Sequence, residues 1–296
     1  MNARRAAFVV AATIGLALSG AGVSHAEPGG AGTGEYVALG DSYVAGPLIP
    51  APTGQPVGCL RSDHNYPSLV QAGLRSPRFR DVSCGGATTK DMTAPQQVTG
   101  GVNPPQLDAL SARTTLVTLG IGGNDIGFGD IVTDCGTRSP TQPLGAACRD
   151  HYTQGGHDQL AERIAKTAPK VAAVLQAIDK RAPGAKVLLV GYPTILPDSG
   201  PGCFPVVPFS AGDVAYLRAT EKSLNAMLAR QAGRAGVEFV DTYASSVGHD
   251  ICQLPGTKWV EGLVPTSPAA PVHPNALGMR NSANRVLSAL HASAGS

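Results

Sequence analysis

The stretch "TTLVTLGIGGND" (residues 114–125) decides the fold class, because an apolar run ends there at a pair of glycines. Such a run is typical of a strand that is covered on both faces, as strands of a parallel sheet are. The run "AKVLLVG" (185–191) has the same character. Three further runs are strand-like, namely "EYVAL" (35–39), "RDVSC" (80–84) and "VEFVD" (237–241). All five end at glycines or turn residues, so the sequence predicts five strands.

Helical patterns alternate with these strands. Residues 157–181, 212–233 and 274–292 carry apolar residues at spacings of three and four. Pro169 lies inside the first pattern and predicts a kink or break, whereas Pro274 suits a first helical position. The alternation predicts an α/β fold, a three-layer α/β/α sandwich with a five-stranded, mostly parallel sheet.

Three segments fit neither pattern. Residues 46–65, 126–156 and 192–211 are rich in Pro and Gly, and each contains cysteine. Loops of this length usually carry function or are tied down. We therefore interpret them as long loops over one rim of the sheet, held by disulfides.

Residues 1–26 have the pattern of an export signal. Arg4 and Arg5 precede the apolar core "AAFVVAATIGLAL", and "SHA" places small residues before a cleavage point at Ala26. A retained anchor is the alternative, although the apolar stretch is shorter than the roughly 20 residues that span a bilayer. We expect a signal peptide over 1–26, a secreted or cell-wall-associated product, and a single domain over 27–296.

Charge excludes one class of partner. The chain has 23 basic and 21 acidic residues, and removal of Arg4 and Arg5 leaves equal numbers. A nucleic-acid partner needs a basic face, so none is expected. No later segment is apolar enough to span a membrane, and we expect a monomer.

The six cysteines are an even number in an exported chain, which favours disulfides. Six cysteines allow 15 pairings, and spacing alone does not choose among them. The nearest approach to a metal-ligand cluster is "CRDH" (148–151), but no two cysteines have a CxxC spacing. The sequence therefore predicts disulfides and no metal.

Reactive residue types follow successive predicted strands. Ser42 follows the first, Gly85 and Gly86 the second, and Asn124 the third, while His273 precedes the last helix. Each alone is also an ordinary turn or cap residue. Ligands of open α/β sheets bind at the carboxyl ends of the strands, where these residues would meet. A hydroxyl, an imidazole and hydrogen-bond donors are what acyl transfer needs.

Four blocks carry a family resemblance: "GDSY", "CGGATT", "IGGNDIGF" and "HPNALG" resemble the signature blocks of the SGNH (GDSL-type) hydrolases. The chain is most similar to the secreted actinobacterial lipase/esterase branch, from Tyr36 to about Leu290. The resemblance implies a flavodoxin-like fold. Nothing in the sequence indicates a metal or organic cofactor, so none is expected. The resemblance implies these roles: Ser42 as nucleophile, His273 as general base, and the Gly86 N–H, the Asn124 amide and the Ser42 N–H as oxyanion donors. It also implies three disulfides, Cys59–Cys84, Cys135–Cys148 and Cys203–Cys252.

The chain departs from the family at the third triad member. Many members have an acid three residues before the histidine, where this chain has Ala270. A main-chain carbonyl can fix the tautomer of the imidazole, although it stabilises the imidazolium less than a carboxylate does. We hypothesise that the Ala270 carbonyl orients His273. Asp241 and Asp250 are the carboxylate alternatives.

The segments "PLIPAP" (47–52), "GFGDIV" (127–132) and "YPTILP" (192–197) are apolar and are expected to form a wall for an acyl chain, whereas Trp259 is interpreted as packing. The predicted substrate is a small-molecule or lipid-like carboxylic ester with an apolar acyl group. Alternatives on the same scaffold are a carbohydrate acetyl esterase, a phospholipase and a thioesterase. An inactive secreted binding module is the non-enzymatic alternative.

Overall fold

The computed structural model describes residues 34–76 and 78–294, so the expected signal peptide over 1–26 lies outside the described residues. Its main sheet has five parallel strands in the order β2-β1-β5-β6-β7. These strands are β1 (Glu35–Gly40), β2 (Arg78–Asp81), β5 (Thr114–Gly120), β6 (Lys186–Val190) and β7 (Glu238–Val240). Two further strands, β3 (Gln96–Val98) and β4 (Gly101–Asn103), form a small antiparallel pair. The predicted five-stranded parallel sheet is confirmed.

Seven α-helices surround the sheet in the described part of the chain. They are α1 (Ser42–Ala45), α2 (Tyr66–Leu74), α3 (Phe128–Arg138), α4 (Ala147–Tyr152), α5 (Gln159–Arg181), α6 (Ala211–Arg234) and α7 (Ala276–Ala294). Over residues 34–76 and 78–294, none of the helices combines the length and the apolar character of a membrane span.

Alternate residues of the strands build two separate cores. Val37 and Leu39 of β1 pack on one face, together with buried residues of α5 and α6. Tyr36 and Ala38 pack on the other, with residues of α2 and α7. Since successive side chains of a strand point to opposite faces, this division explains the continuous apolar runs. The predicted three-layer sandwich is therefore confirmed.

The interpretation of 126–156 as a long loop is wrong, because this segment contains α3 and α4. The apolar residues of α3 are Phe128, Ile131, Val132 and Cys135, at helical spacings of three and four, and Ile131 and Cys135 are buried. The glycines and prolines around them in the sequence favour a loop but do not prevent this helix. The segment 192–211 is irregular up to Ser210, and 46–65 holds only one short 3₁₀ turn, as expected.

Of the kink or break predicted at Pro169, the break is wrong, because α5 continues through it to Arg181. Val171, Val174 and Ile178 beyond the proline are buried in the core. Their burial offsets the missing backbone hydrogen bond. Two boundaries moved as well: β2 ends at Asp81, and α7 begins at Ala276 after Pro274.

Three disulfides pair Cys59 with Cys84, Cys135 with Cys148, and Cys203 with Cys252, as the resemblance implied. The first joins a residue of the 46–65 loop to the residue before Gly85. The Gly85 N–H also donates to the Cys59 carbonyl oxygen (2.9 Å). The disulfide therefore fixes the loop that lies beside the carboxyl end of β1.

Candidate active site

Ser42 lies at the sharp turn between β1 and α1. Gly40 has φ 149°, and a Cβ there would lie 2.4 Å from the Gly120 carbonyl oxygen, so only glycine fits. The Asp41 carboxylate then caps α1 by accepting the Tyr43 N–H (2.9 Å). Ser42 is the first helical residue, and its side chain is half-buried at the rim of the sheet.

His273 reaches Ser42 directly, since its Nε2 lies 2.8 Å from the Ser42 Oγ. Its other ring nitrogen, Nδ1, lies 2.8 Å from the Pro271 carbonyl oxygen. A carbonyl oxygen can only accept, so Nδ1 carries the proton in neutral imidazole. Nε2 is thereby left as an acceptor that points at the Ser42 hydroxyl.

The hypothesis that the Ala270 carbonyl orients the ring is wrong by one residue. That carbonyl accepts the main-chain N–H of His273 (3.2 Å), and the ring turns to Pro271. The carboxylate alternatives are occupied elsewhere: Asp241 accepts the N–H groups of the two residues that follow Thr242, and Asp250 accepts that of Cys252. No hydrogen bond among the described residues joins either carboxylate to the His273 ring.

The backbone beside the histidine adopts a costly conformation. Val272 has φ 59°, a left-handed value that is an outlier for a β-branched residue. Its carbonyl accepts a 2.6 Å hydrogen bond from the Tyr43 hydroxyl, and its N–H donates to the Gly262 carbonyl. The Tyr43 ring also packs against the His273 ring, with centroids 4.9 Å apart. Tyr43, the residue after Ser42, therefore holds the loop of His273 in place.

Burial shifts the pKa of the histidine. It lowers the pKa of His273 below its ordinary value, and the hydrogen bond to Pro271 opposes that shift only in part. Tyr43 and Phe128 both pack against the ring. A depressed pKa keeps the imidazole neutral near pH 7, the form in which it can accept a proton.

The three predicted oxyanion donors belong to residues of one groove. Gly86 has φ 75°, and Gly86, Asn124 and His273 line this groove together with Ser42. The Asn124 amide donates one hydrogen to the Ala87 carbonyl (2.9 Å), which fixes its orientation and leaves the second without a partner among the described residues. Over residues 34–76 and 78–294, no hydrogen bond uses the main-chain N–H of Ser42 or Gly86. These donors are therefore not engaged within the described part of the chain.

A buried tyrosine couples the loop of Ser42 to the loop of Asn124. The Tyr192 hydroxyl donates to the Asp41 carboxylate (2.6 Å) and accepts the Gly123 N–H (2.7 Å). Burial raises the pKa of Asp41 to about 7, although the hydrogen bond from Tyr192 opposes the rise. Asp125 adds a second tie, since it accepts the Thr89 N–H (2.9 Å) from the loop of Gly86.

A second buried network holds the histidine loop from the far side. The Glu261 N–H donates to the His273 carbonyl (3.0 Å), and its side chain accepts from Asn275 (2.7 Å). Asn275 in turn caps α7 by accepting the Gly278 N–H (3.2 Å). Lys258 lies 3.3 Å from the Glu261 carboxylate, and both side chains are buried. The loop of His273, the segment from Lys258 to Glu261 and the first turn of α7 are therefore joined by hydrogen bonds.

Two cavities meet at Ser42 and Asn124. The first is a narrow pocket with a cavity volume of about 70 Å³, and its walls are almost wholly apolar. They include Phe128 and Ile131 of α3, Ile195 and Leu196 of the 192–197 segment, and Leu217 and Leu224 of α6. The second is a more open groove of about 510 Å³ that runs past His273. The segments 127–132 and 192–197 thus form the apolar wall that was predicted, and Pro47 lies in the open groove.

Two carboxyl groups lie in the wall of the apolar pocket, those of Asp41 and Glu221. Glu221 accepts the Ile195 N–H through both oxygens (3.1 and 3.3 Å). Burial raises the pKa of Glu221 well above its usual range, against these hydrogen bonds. A neutral carboxyl with its oxygens engaged adds little charge to the pocket. Trp259 lies outside the walls of both cavities and stacks on His249 at 3.6 Å between centroids.

Sequence reasoning did not identify several supporting residues of this site. The orienting carbonyl of Pro271 belongs to the backbone and has no residue-type signal. The roles of Tyr192 and Glu261 depend on side chains far apart in sequence. Tyr43 is the last residue of the "GDSY" block, and this position next to the nucleophile is the only sequence signal for its role.

Comparison with known proteins agrees with this geometry. Residues 38–280 match the model of the GDSL-like lipase/acylhydrolase family. The chain is 42% identical to Lipase 2 of Streptomyces coelicolor over 94% of this chain and 93% of that protein. It is 33% identical to a lipase of Streptomyces rimosus, over 88% of each chain.

Solved structures show the same likeness. The crystal structure of the extracellular lipase of S. rimosus has a TM-score of 0.70 and 30% identity, covering 86% of this chain and 99% of that one. The phospholipase A1 of Streptomyces albidoflavus has a TM-score of 0.71 and 27% identity, covering 86% and 98%. With the family match spanning most of the chain, this protein belongs to the GDSL-like lipase/acylhydrolase family and is a carboxylic ester hydrolase.

Proposed function

We propose that the protein is a secreted serine esterase or lipase that cleaves esters of apolar acyl groups through an acyl-enzyme on Ser42. The observation that carries the proposal is the 2.8 Å contact between the Ser42 Oγ and the His273 Nε2, at the mouth of an apolar pocket. A hydroxyl becomes a useful nucleophile when a neutral imidazole within hydrogen-bond reach takes its proton.

The reaction follows from these positions. The Ser42 Oγ attacks the ester carbonyl carbon while its proton passes to the His273 Nε2. The carbonyl oxygen becomes an oxyanion that accepts from the N–H groups of Ser42 and Gly86 and the Asn124 amide. The C–O bond to the alcohol then breaks, and the imidazolium returns its proton to the departing oxygen. Water, activated by the same imidazole, hydrolyses the acyl-enzyme.

The Pro271 carbonyl orients the His273 ring in place of the acid that many family members have. Its carbonyl holds the proton on the His273 Nδ1, and its dipole stabilises the imidazolium partly. The site therefore works as a Ser–His dyad with a carbonyl orienter. The roles of Ser42, His273, Gly86 and Asn124 match those that the sequence predicts.

The pocket favours an apolar acyl group over an acetylated sugar. Its walls are almost wholly apolar, whereas a carbohydrate site needs hydrogen-bonding groups around the substrate. Phospholipids and thioesters are cleaved by the same acyl-transfer chemistry, so the test includes both. We further propose that residues 1–26 are a signal peptide, that 27–296 form a single hydrolase domain, and that the protein is a monomer.

The test is an acyl-chain-length series of p-nitrophenyl esters, run beside an acetylated sugar and phospholipid. Wild type is compared with Ser42→Ala and His273→Ala, and a fluorophosphonate probe reports the nucleophile independently. We expect turnover of apolar esters and probe labelling in wild type, and a loss of at least about 10³-fold in either variant. Turnover that survives in folded Ser42→Ala, or an absence of turnover at every chain length, refutes the proposal.

A further inference from the structure

Two rim segments beside the catalytic groove contain no charged residue. They are residues 46–60, "GPLIPAPTGQPVGCL", and residues 262–272, "GLVPTSPAAPV". Exposed loops normally carry charged side chains, because such side chains keep a surface in water. Two uncharged segments at the mouth of one site therefore require an explanation.

Both segments line the open groove that holds Ser42 and His273. The residues that they contribute to its walls are Pro47, Gly58, Leu60, Leu263, Ala270, Pro271 and Val272. The segments are also joined, since the Ala270 N–H donates to the Pro47 carbonyl (3.0 Å). They form one continuous border rather than two unrelated loops.

The border projects large apolar side chains into solvent. Leu48 is 60% exposed, Val57 58%, Leu60 43% and Val264 82%. Both leucines have left-handed backbones, with φ 62° for Leu48 and 56° for Leu60. Such a conformation costs roughly 1 kcal/mol or more in a non-glycine residue. The side chains of Leu48 and Leu60 stay exposed, so burial in the core does not compensate for the cost of these backbone conformations.

These side chains are presented on a fixed backbone. The Leu60 N–H closes a turn with the Val57 carbonyl (3.0 Å), and Cys59 is tied to Cys84. The Ile49 N–H bonds the Gly46 carbonyl (3.3 Å), and Ile49 itself is buried. A surface that is already ordered loses little conformational entropy when it meets a partner.

The charges nearest the border indicate which surface it suits. The exposed Asp63 carboxylate accepts the Ala51 N–H of the first segment (3.0 Å) and contacts the ring of His64. The Arg61 side chain follows the first segment but is buried and donates to the Ser83 and Gln55 carbonyls, so it is not available to a phosphate. On the opposite wall, exposed Asp130 follows Gly129 of the groove. An anionic surface needs basic residues, and these segments offer none.

We infer that the border of Leu48, Val57, Leu60 and Val264 docks on a neutral or zwitterionic lipid–water interface and sets the catalytic groove against it. Apolar side chains at the rim enter the interface, and the ester then reaches Ser42 without crossing bulk water. The location of this surface rests on the proposed active site, but the binding itself needs no turnover.

The experiment measures binding in the Ser42→Ala background, using phosphatidylcholine vesicles and co-sedimentation. The border variant is Leu48→Asn/Val264→Ser, in which Asn suits the left-handed backbone. The matched control is Leu144→Asn/Val206→Ser, because those side chains are 100% and 82% exposed and line neither cavity. We expect the border variant to lower the partition coefficient at least about tenfold, and the control less than about twofold.

With an active Ser42, the border variant should hydrolyse a soluble short-chain ester at the wild-type rate and a dispersed long-chain ester several-fold more slowly. Equal losses in the border and control variants would overturn the inference, as would binding only to anionic vesicles. Association of the lipid-free protein into dimers that the border variant abolishes would assign the surface to a second copy instead. Failure of all ester turnover would refute the proposed function, and the vesicle result would still be read separately.

Discussion

Replacement of Tyr43 by phenylalanine separates positioning of the histidine loop from simple packing. The change removes one oxygen and keeps the ring that packs on His273. The Tyr43 hydroxyl donates to the Val272 carbonyl at 2.6 Å, and Val272 is 3% exposed. Water therefore cannot readily replace the lost donor, and the carbonyl stays unsatisfied.

An unsatisfied buried acceptor costs about 1–3 kcal/mol. If all of this free energy is lost from the transition state, the rate falls about 5-fold to 150-fold. Part will appear as lost stability instead, so we expect kcat for a short soluble ester to fall several-fold, and by less than about 150-fold. KM should change little, because the Tyr43 hydroxyl bonds the loop rather than the substrate.

Tyr36→Phe is the matched control. Its hydroxyl bonds the Thr118 Oγ1 at 2.9 Å in the other core, away from both cavities. The assay measures kcat, KM and thermal unfolding for both variants. Tyr36→Phe should lose stability and keep kcat. A Tyr43→Phe enzyme with the kcat of wild type, or an equal loss of kcat in Tyr36→Phe, would refute the positioning role.

Three further predictions concern charge. Burial lowers the pKa of His273, and only neutral imidazole accepts the serine proton. A plot of kcat/KM against pH should therefore rise through a midpoint below about 6.5. A midpoint above that value contradicts the role of His273 as general base. Asp241→Asn should keep kcat within about twofold, and Asp250→Asn should lower the unfolding temperature rather than kcat. A loss of kcat as large as that of His273→Ala, in either folded variant, would show that this carboxylate is the third member of a catalytic triad. Burial alone would raise the pKa of Glu261, but hydrogen bonds from Thr266 and Asn275 and the charge of Lys258 lower it overall. Glu261→Gln should therefore lower the unfolding temperature at pH 7, and its deficit should shrink as pH falls below about 4.5; a deficit that grows on acidification would contradict this sign.

Periodic burial could be predicted from the sequence, and contacts between distant residues could not. The runs at 114–121 and 185–191 are apolar because both faces of β5 and β6 are covered, so the sheet followed directly from composition. The α3 helix was missed although Phe128, Ile131, Val132 and Cys135 have helical spacing, because the glycines and prolines of 126–156 favour a loop. The Cys135–Cys148 disulfide, which ties α3 to α4, depends on a pairing that no local pattern shows.

In the candidate site, the reacting residues could be predicted from the sequence, whereas the residues that orient them could not. Ser42, Gly86 and Asn124 follow the ends of successive strands, and His273 precedes the last helix, so the predicted topology places them at one rim of the sheet. The groups that aim them do not share this property. Tyr192 reaches Asp41 across 151 residues, and Glu261 acts through a main-chain N–H as well as its carboxylate. Such ties depend on the final packing of side chains rather than on a local pattern.

The absence of an acid at position 270 and the left-handed backbone of Val272 are connected. Pro271 can offer its carbonyl to the His273 ring two residues later because the chain reverses at Val272, whose φ is 59°. That conformation costs of order 1–3 kcal/mol in a non-glycine residue. The Tyr43 hydroxyl and the Gly262 carbonyl hold it from both sides. A carboxylate on a side chain orients an imidazole without such strain, since its own rotamers provide the reach. This chain places the acceptor on the backbone instead, so the tautomer of its base depends on the fold of the loop.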